Sequence, residues 1–254
     1  MKIASWNVNS LKVRLPQVLD WLAAMEPDVL ALQETKLADA SFPAQAFRDA
    51  GWHVVYSGQK TYNGVAVVSR SEPAEVITDP PGLDDEQRRI LGLTLDGVRL
   101  YNLYVPNGQA VDSAKYRYKL DWLERMAAHL ERELEHYPEL AVAGDFNIAP
   151  TDADVHDPAA LAGQIHCTEP ERAALQRLQA LGLEDTFRAF EQPARSFSWW
   201  DYRANAFRRD LGLRIDLILA SRALAARCRA AGIDVGPRRN ERPSDHAPIH
   251  ADFA

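Results

Sequence analysis

Acidic and amide side chains recur where apolar runs of this chain end. Asn7 closes the run 3–8, Glu34 follows 29–32, Asp145 and Asn147 follow 140–143, and Asp245 and His246 stand just ahead of 247–253. Asp216 differs from these, because it lies inside Arg214-Ile215-Asp216-Leu217-Ile218. A carboxylate among apolar neighbours is rare unless it is paired. Taken singly, each residue has an ordinary explanation: Gly144-Asp145-Phe146-Asn147 as a turn, Glu34 as a surface charge, His246 as a satisfied histidine at a sheet end. Taken together, several carboxylates and amides with one histidine supply hard oxygen ligands for Mg²⁺ or Mn²⁺ and an acid-base group. Phosphoester hydrolysis needs those parts: a cation to neutralise the phosphate, a carboxylate to orient or deprotonate water, and donors for the equatorial oxygens. Zinc would call for more nitrogen or sulfur, and the only cysteines are Cys167 and Cys228.

The elements that would position these groups are mainly strands. Runs of strand length and composition occur at 3–8, 29–32, 52–56, 65–69, 90–95, 100–105, 140–143, 215–220 and 247–253. Helical periodicity follows an early Pro16 through Leu15, Val18, Leu19 and Leu22, and recurs from Tyr116 through Leu120, Leu123, Ala127, Leu130 and Leu134. A third helix is expected over about 171–181, capped by Thr168 with Pro170 in its first turn. Runs 90–95 and 100–105 flank Asp96-Gly97 and read as a hairpin, and strict βαβ alternation is absent. Two mostly antiparallel sheets, back to back and covered by helices, satisfy this pattern in an α/β chain. No linker, low-complexity tract or repeat interrupts it, so residues 1–254 are expected to form a single domain.

Composition limits the partners. The chain has 254 residues, 46% hydrophobic and 26% charged, enough for a full core. Two cysteines give no disulfide framework, and polar Asn7, Asn9 and Ser10 interrupt the amino terminus before a signal-peptide stretch develops, so a cytoplasmic protein without a membrane partner is expected. The net charge of −7 does not attract polyanions, so a nucleic acid would need a local basic face. One candidate runs from Arg195 to Arg214, where five arginines meet two aspartates for a local balance of +3. Phe197, Trp199, Trp200, Tyr202 and Phe207 are interleaved there, and arginines among aromatics suit phosphate contact with stacking or wedging. Lys115, Arg117 and Lys119, and Arg238, Arg239 and Arg242, could extend that face.

The segments Ser5-Trp6-Asn7-Val8-Asn9, Leu32-Gln33-Glu34-Thr35-Lys36, Asn102-Leu103-Tyr104-Val105-Pro106-Asn107-Gly108, Gly144-Asp145-Phe146-Asn147, Phe197-Ser198-Trp199-Trp200-Asp201-Tyr202-Arg203, Gly212-Leu213-Arg214-Ile215-Asp216 and Ser244-Asp245-His246-Ala247-Pro248 resemble, in order and over the whole chain, the motifs of the exonuclease III family of abasic-site DNA endonucleases. The Asn, Glu, Gly-Asp-x-Asn and Ser-Asp-His elements are shared with the wider DNase I-like superfamily, including sphingomyelinases and inositol polyphosphate phosphatases. The Trp-Trp-Asp-Tyr-Arg and Gly-Leu-Arg-Ile-Asp segments resemble the DNA-repair branch.

The resemblance implies a four-layer αββα sandwich and a Mg²⁺ cofactor, with Mn²⁺ as substitute. It implies Glu34 as principal metal ligand with Asn7 beside it, and Asp145, Asn147 and Asp245 as further metal-site groups. Asp145, steadied by Asn147, would activate water, Asp216 would fix the tautomer of His246, and His246, Tyr104 and Asn107 would contact the phosphate. Trp199, Leu213 and Ile215 would line a pocket for a flipped abasic sugar, with Arg203 among the substrate contacts. A carboxylate partner would also satisfy a buried Asp216 and favour an imidazolium, which supports an Asp-His pair on the residues alone. The expected function is incision of duplex DNA at abasic sites, with 3′-to-5′ exonuclease and 3′-end cleaning, by a monomer. The alternatives are another phosphodiesterase or phosphatase of the superfamily, against which the Trp-Arg segment stands, and a non-catalytic nucleic-acid-binding regulator, in which the metal and nucleophile positions would be eroded.

Overall fold

Two six-stranded sheets lie face to face in a computed structural model that describes residues 1–83 and 85–254. The chain runs through β1 (Lys2–Asn7), α1 (Leu11–Met25), β2 (Val29–Gln33), α2 (Ala44–Asp49), β3 (His53–Ser57) and β4 (Val65–Ser69). It then builds the second sheet with β5 (Ala74–Ile77), β6 (Ile90–Leu95), β7 (Val98–Tyr104), α3 (Ala114–His136), β8 (Leu140–Asp145), α4 (Pro158–Leu161), α5 (Glu169–Ala180), β9 (Leu183–Asp185) and β10 (Asp216–Ser221). After α6 (Arg222–Ala225), strands β11 (Cys228–Ile233) and β12 (Ile249–Phe253) return to the first. The spatial orders are β11-β12-β1-β2-β4-β3 and β5-β6-β7-β8-β10-β9. Each sheet has one parallel pair, β1 with β2 and β7 with β8, and is otherwise antiparallel.

Side-chain alternation assigns the layers. Ile3, Val29 and Ala31 of the first sheet meet Leu93, Leu100, Ala141, Ala143 and Ile218 of the second in the central core. The opposite faces bury Trp6, Leu30 and Leu32 under Val18, Trp21 and Leu22 of α1, and Tyr101 and Leu103 under α3 and α5. The result is the expected four-layer sandwich.

Local signals held where the chain supplied its own partners. Asp96 and Gly97 both have positive φ, 49° and 86°, the twist a two-residue hairpin between β6 and β7 requires. Thr168 and Glu171 form a capping box, and α5 starts at Glu169, slightly ahead of the expected 171. The first helix differs from expectation: it opens more than a turn before Pro16, because the Ser10 and Leu11 N–H groups are taken by the Glu34 and Thr35 carbonyls at 2.8 and 3.1 Å. Among the described residues, no helix is long and apolar enough to cross a membrane.

Candidate active site

The same alternation that builds the core points the catalytic candidates at one another. Ile3, Ser5 and Asn7 share the inner face of β1, as do Ala141, Ala143 and Asp145 on β8, and Asp216, Ile218 and Ala220 on β10. Asn7, Tyr104 and Asp145 are each the last residue of a strand, and Asp216 is the first of an antiparallel one. Register then aligns them, with Asp145 opposite both Tyr104 and Asp216. Gly144 makes this close approach possible: at φ 152°, a Cβ there would lie 1.9 Å from the Leu103 carbonyl oxygen.

Asn7 Nδ2 donates to Glu34 Oε1 at 3.0 Å and to Asp145 Oδ2 at 2.9 Å, while its Oδ1 accepts the Asn9 N–H. Asn7 thus holds two carboxylates together through its amide N–H groups. Asp145 Oδ1 also accepts the Asn147 N–H at 2.9 Å, and Asn147 Nδ2 spans Val105 O and Asp145 Oδ2. Oxygen or nitrogen atoms of Glu34, Asp145 and His246 lie within 4.8 Å of one another. Burial, reinforced by the Asp216 and Glu34 charges, pushes Asp145 up to about 7 against the pull of His246 and Asn7. A divalent cation would relieve this crowding of negative charge, and the carboxylate oxygens of Glu34 and Asp145 are the hard donors Mg²⁺ prefers.

His246 is paired with a carboxylate on each side. Its Nδ1 lies 2.9 Å from Asp216 Oδ2, and Nε2 lies 3.8 Å from Asp145. Burial alone would lower its pKa, but Asp216 and Asp145 outweigh it and raise it to about 10. Ser198 Oγ donates to Asp216 Oδ2 at 2.6 Å and accepts the Asp216 N–H, fixing the carboxylate from behind. Tyr104 stands beside the carboxylates, its hydroxyl pushed well up by burial and then by Glu34 and Asp145. Asn107 Nδ2 donates to Asn147 Oδ1 at 3.1 Å. A groove of about 620 Å³, lined in part by Tyr62, Arg89, Tyr104, Asn107 and Lys115, opens next to these two.

Residues 4–246 match the model of the endonuclease/exonuclease/phosphatase family. Exodeoxyribonuclease III of Haemophilus influenzae is 37% identical over 266 residues, covering all of both chains. The chain belongs to this family, in its exonuclease III branch. Among solved structures of similar proteins, a Neisseria 3′ phosphatase bound to a product DNA hairpin is 49% identical, covers 100% of this chain and 99% of its own, and superposes with a TM-score of 0.98. An AP endonuclease from Archaeoglobus fulgidus is 41% identical over 100% of this chain and 99% of its own, with a TM-score of 0.94.

Within this exonuclease III fold, several candidates stand apart from the centre. Asp245 accepts from Asn9 Nδ2 at 2.9 Å and Trp199 Nε1 at 3.1 Å, so it orients Trp199 and lies outside the Glu34, Asp145 and His246 group. Leu213 and Ile215 are buried in a small apolar cluster with Ala149, Val155 and Cys167, against which Trp199 packs. Arg203 is exposed and bound to Asp201, its near neighbour. The basic face is smaller than expected. Arg214 is buried between Asp154 and Asp185, Arg195 pairs with Asp210, Arg238 is buried over Trp200 and Phe207, and Lys119 is wholly buried against Glu171. Arg214, Arg238 and Lys119 are taken out of solvent by their partners, whereas Arg195 keeps its aspartate at the surface. Arg208, Arg209, Arg239, Arg242, Lys115 and Arg117 remain exposed.

Three residues went unread in the sequence. Lys36 Nζ lies 2.8 Å from Glu34 Oε2, and both residues have positive φ, so a tight turn brings them together. Ser198 was hidden in a segment notable for aromatics. His166, also at positive φ, places its ring 6.1 Å from that of Trp199, with Nδ1 2.6 Å from Asn147 O and Nε2 3.5 Å from Asn107 Nδ2. The carbonyl is only an acceptor, so Nδ1 carries the proton. Burial and then Lys119 pull His166 down to about 4, which keeps the imidazole neutral.

Proposed function

We propose that this DNA-repair nuclease is Mg²⁺-dependent, with Mn²⁺ as substitute, and that it hydrolyses phosphodiester bonds of duplex DNA at abasic sites and at blocked 3′ ends, as a cytoplasmic monomer. The observation that carries the reading is the convergence of Asn7, Glu34, Asp145, Asp216 and His246 at one end of two facing sheets, where each has a partner and none is eroded.

Glu34 and Asp145 would hold the cation, which supplies charge neutralisation at the phosphate. Asp145, fixed by the Asn147 N–H, orients the attacking water and accepts its proton. His246, kept as an imidazolium by Asp216, donates to a phosphate oxygen, with the Tyr104 hydroxyl and the Asn107 amide beside it. The bond from phosphorus to the departing 3′ oxygen then breaks as the new one to water forms, and that oxygen leaves with the bonding pair and takes a proton from solvent water. Trp199, anchored by Asp245, walls the side on which the sugar sits. Arg203, exposed at the surface and paired with Asp201, is a rim contact.

A second reading gives priority to 3′-phosphate removal over abasic incision. It is supported by His166, whose ring stands 6.1 Å from that of Trp199, so that a sugar lodged against Trp199 would meet an imidazole. The 49% identity to the Neisseria protein described as a 3′ phosphatase points the same way.

The test is turnover on three duplexes, one with a single abasic analogue, one ending in a 3′-phosphate and one unmodified. Both lesions are expected to be processed faster than the unmodified duplex, and Asp145→Asn to lower turnover by about a hundredfold or more with DNA binding retained. A 3′-phosphate preference would favour the second reading, and equal rates on all three would contradict lesion specificity.

A further inference from the structure

A buried ion pair lies directly under the substrate-contacting amides. Lys119 of α3 and Glu171 of α5 are both fully buried, with Nζ 2.5 Å from Oε1. Burying two charges costs several kcal/mol per ion unless geometry and further hydrogen bonds compensate, so the pair is weak evidence for stability by itself. Its other contacts are informative. Lys119 Nζ donates to Asn147 O at 2.7 Å and lies 3.3 Å from Asn107 O. Glu171 accepts from the His166 N–H at 3.1 Å through Oε1, and from the Thr168 N–H and hydroxyl through Oε2. One ammonium therefore touches the backbone of both amide residues at the phosphate, and its carboxylate partner ties down the turn that carries His166. Gly108 shows how closely the 107–109 loop is seated on the lysine: a Cβ there would lie 3.3 Å from Lys119 Cδ and 2.9 Å from Ile165 Cδ1.

We propose that Lys119, held by Glu171, is a positioning residue of the reaction: it fixes the Asn107 and Asn147 loops relative to each other, and so sets the phosphate contacts against the Asp145 base. Only the ion pair's backbone contacts are invoked; Lys119 touches no substrate. The inference rests on the roles proposed above for Asn107, Asn147 and Asp145.

The test uses the double variant Lys119→Met/Glu171→Gln, which removes both buried charges while keeping a capping-box residue at the start of α5. Folding is followed by cooperative thermal unfolding, and kcat and KM are measured on the abasic and 3′-phosphate duplexes. The expected result is a folded enzyme whose kcat falls about 10- to 100-fold with KM changed less than threefold, since misplacing transition-state groups costs kcat first. Hydrogen exchange at 107–109 and 146–149 should quicken in the same variant. A folded double variant with wild-type kcat and unchanged exchange would overturn the proposal and leave a core ion pair only. Should the double variant not fold, Glu171→Asp retains both charges but shortens the anchor by one methylene, and the same kcat loss is expected. A folded Glu171→Asp enzyme with unchanged kcat would overturn the proposal equally. Wild-type turnover on the same duplexes reports the functional reading separately, because that reading fails if the wild type is inactive and the inference fails if the variant ratio is one.

Discussion

Asp216 and His246 form the shorter of the two carboxylate–imidazole contacts of the centre, 2.9 Å against 3.8 Å for Asp145, and it lends itself to direct measurement. The raised value of His246 means that its charged form is stabilised by folding: that contribution is complete below about pH 6.5, the ordinary histidine value, and is lost as pH rises through about 10. Asp216→Asn removes the nearest carboxylate and is expected to lower the His246 midpoint by about one to three units, read by NMR of the imidazole without added divalent cation. An unchanged midpoint would show that Asp216 does not hold the proton there. Asn7 and Asp145 were legible in the sequence because each ends an apolar run of strand length on a polar residue, and Asp216 because it is a carboxylate among apolar neighbours. Lys36 and His166 were not, since left-handed backbone at non-glycine positions leaves no pattern in residue type. Asp245 was legible as a polar residue but not in its orientation, which Asn9 and Trp199 decide from distant parts of the chain.

At the scale of elements, the segment Gly212 to Asp216 is held by a buried network. Arg214 Nε lies 2.7 Å from Asp154 Oδ1 and its other end grips Asp185 at 2.6 Å, while Arg188 adds a second contact to Asp154. Arg214→Met would strand two carboxylates in the interior and is expected to cost about 3–5 kcal/mol in urea unfolding at pH 7. Burial tends to raise Asp154, but Arg214 and Arg188 outweigh it and hold the carboxyl below its ordinary value. Its stabilising contribution is therefore present above about pH 3.9 and lost as pH falls through the lower folded value, so the penalty of Arg214→Met should shrink on acidification. A loss under about 1 kcal/mol at pH 7, the range of a surface pair, would contradict this. In the sequence Arg214 belongs to a basic face because it closes a run of five arginines among aromatics, and nothing local discloses acids at 154 and 185. Strands β5, β9 and β11 also escaped it. All three are sheet edges with short or half-exposed runs, where the alternation that marks a strand is weakest.

For the whole molecule, a net charge of −7 must coexist with a polyanionic substrate. With Arg214, Arg238 and Lys119 buried against partners of their own, the exposed cations of the expected basic face are Arg195 and Arg203, each paired with an aspartate, and Arg208, Arg209, Arg239, Arg242, Lys115 and Arg117. Attraction at the mouth of the groove must therefore be local and strongly salt-dependent. At the floor of the site, Asp145, Asp216 and Glu34 gather negative charge that Lys36, Asn7 and His246 offset only in part. A phosphate entering that field needs a further cation. The most direct measurement is cleavage of a duplex with one abasic analogue in Mg²⁺, in EDTA, and in EDTA followed by excess Mg²⁺. The expected result is incision in Mg²⁺, none in EDTA and recovery when the cation returns; full incision in EDTA would contradict the cation-assisted centre.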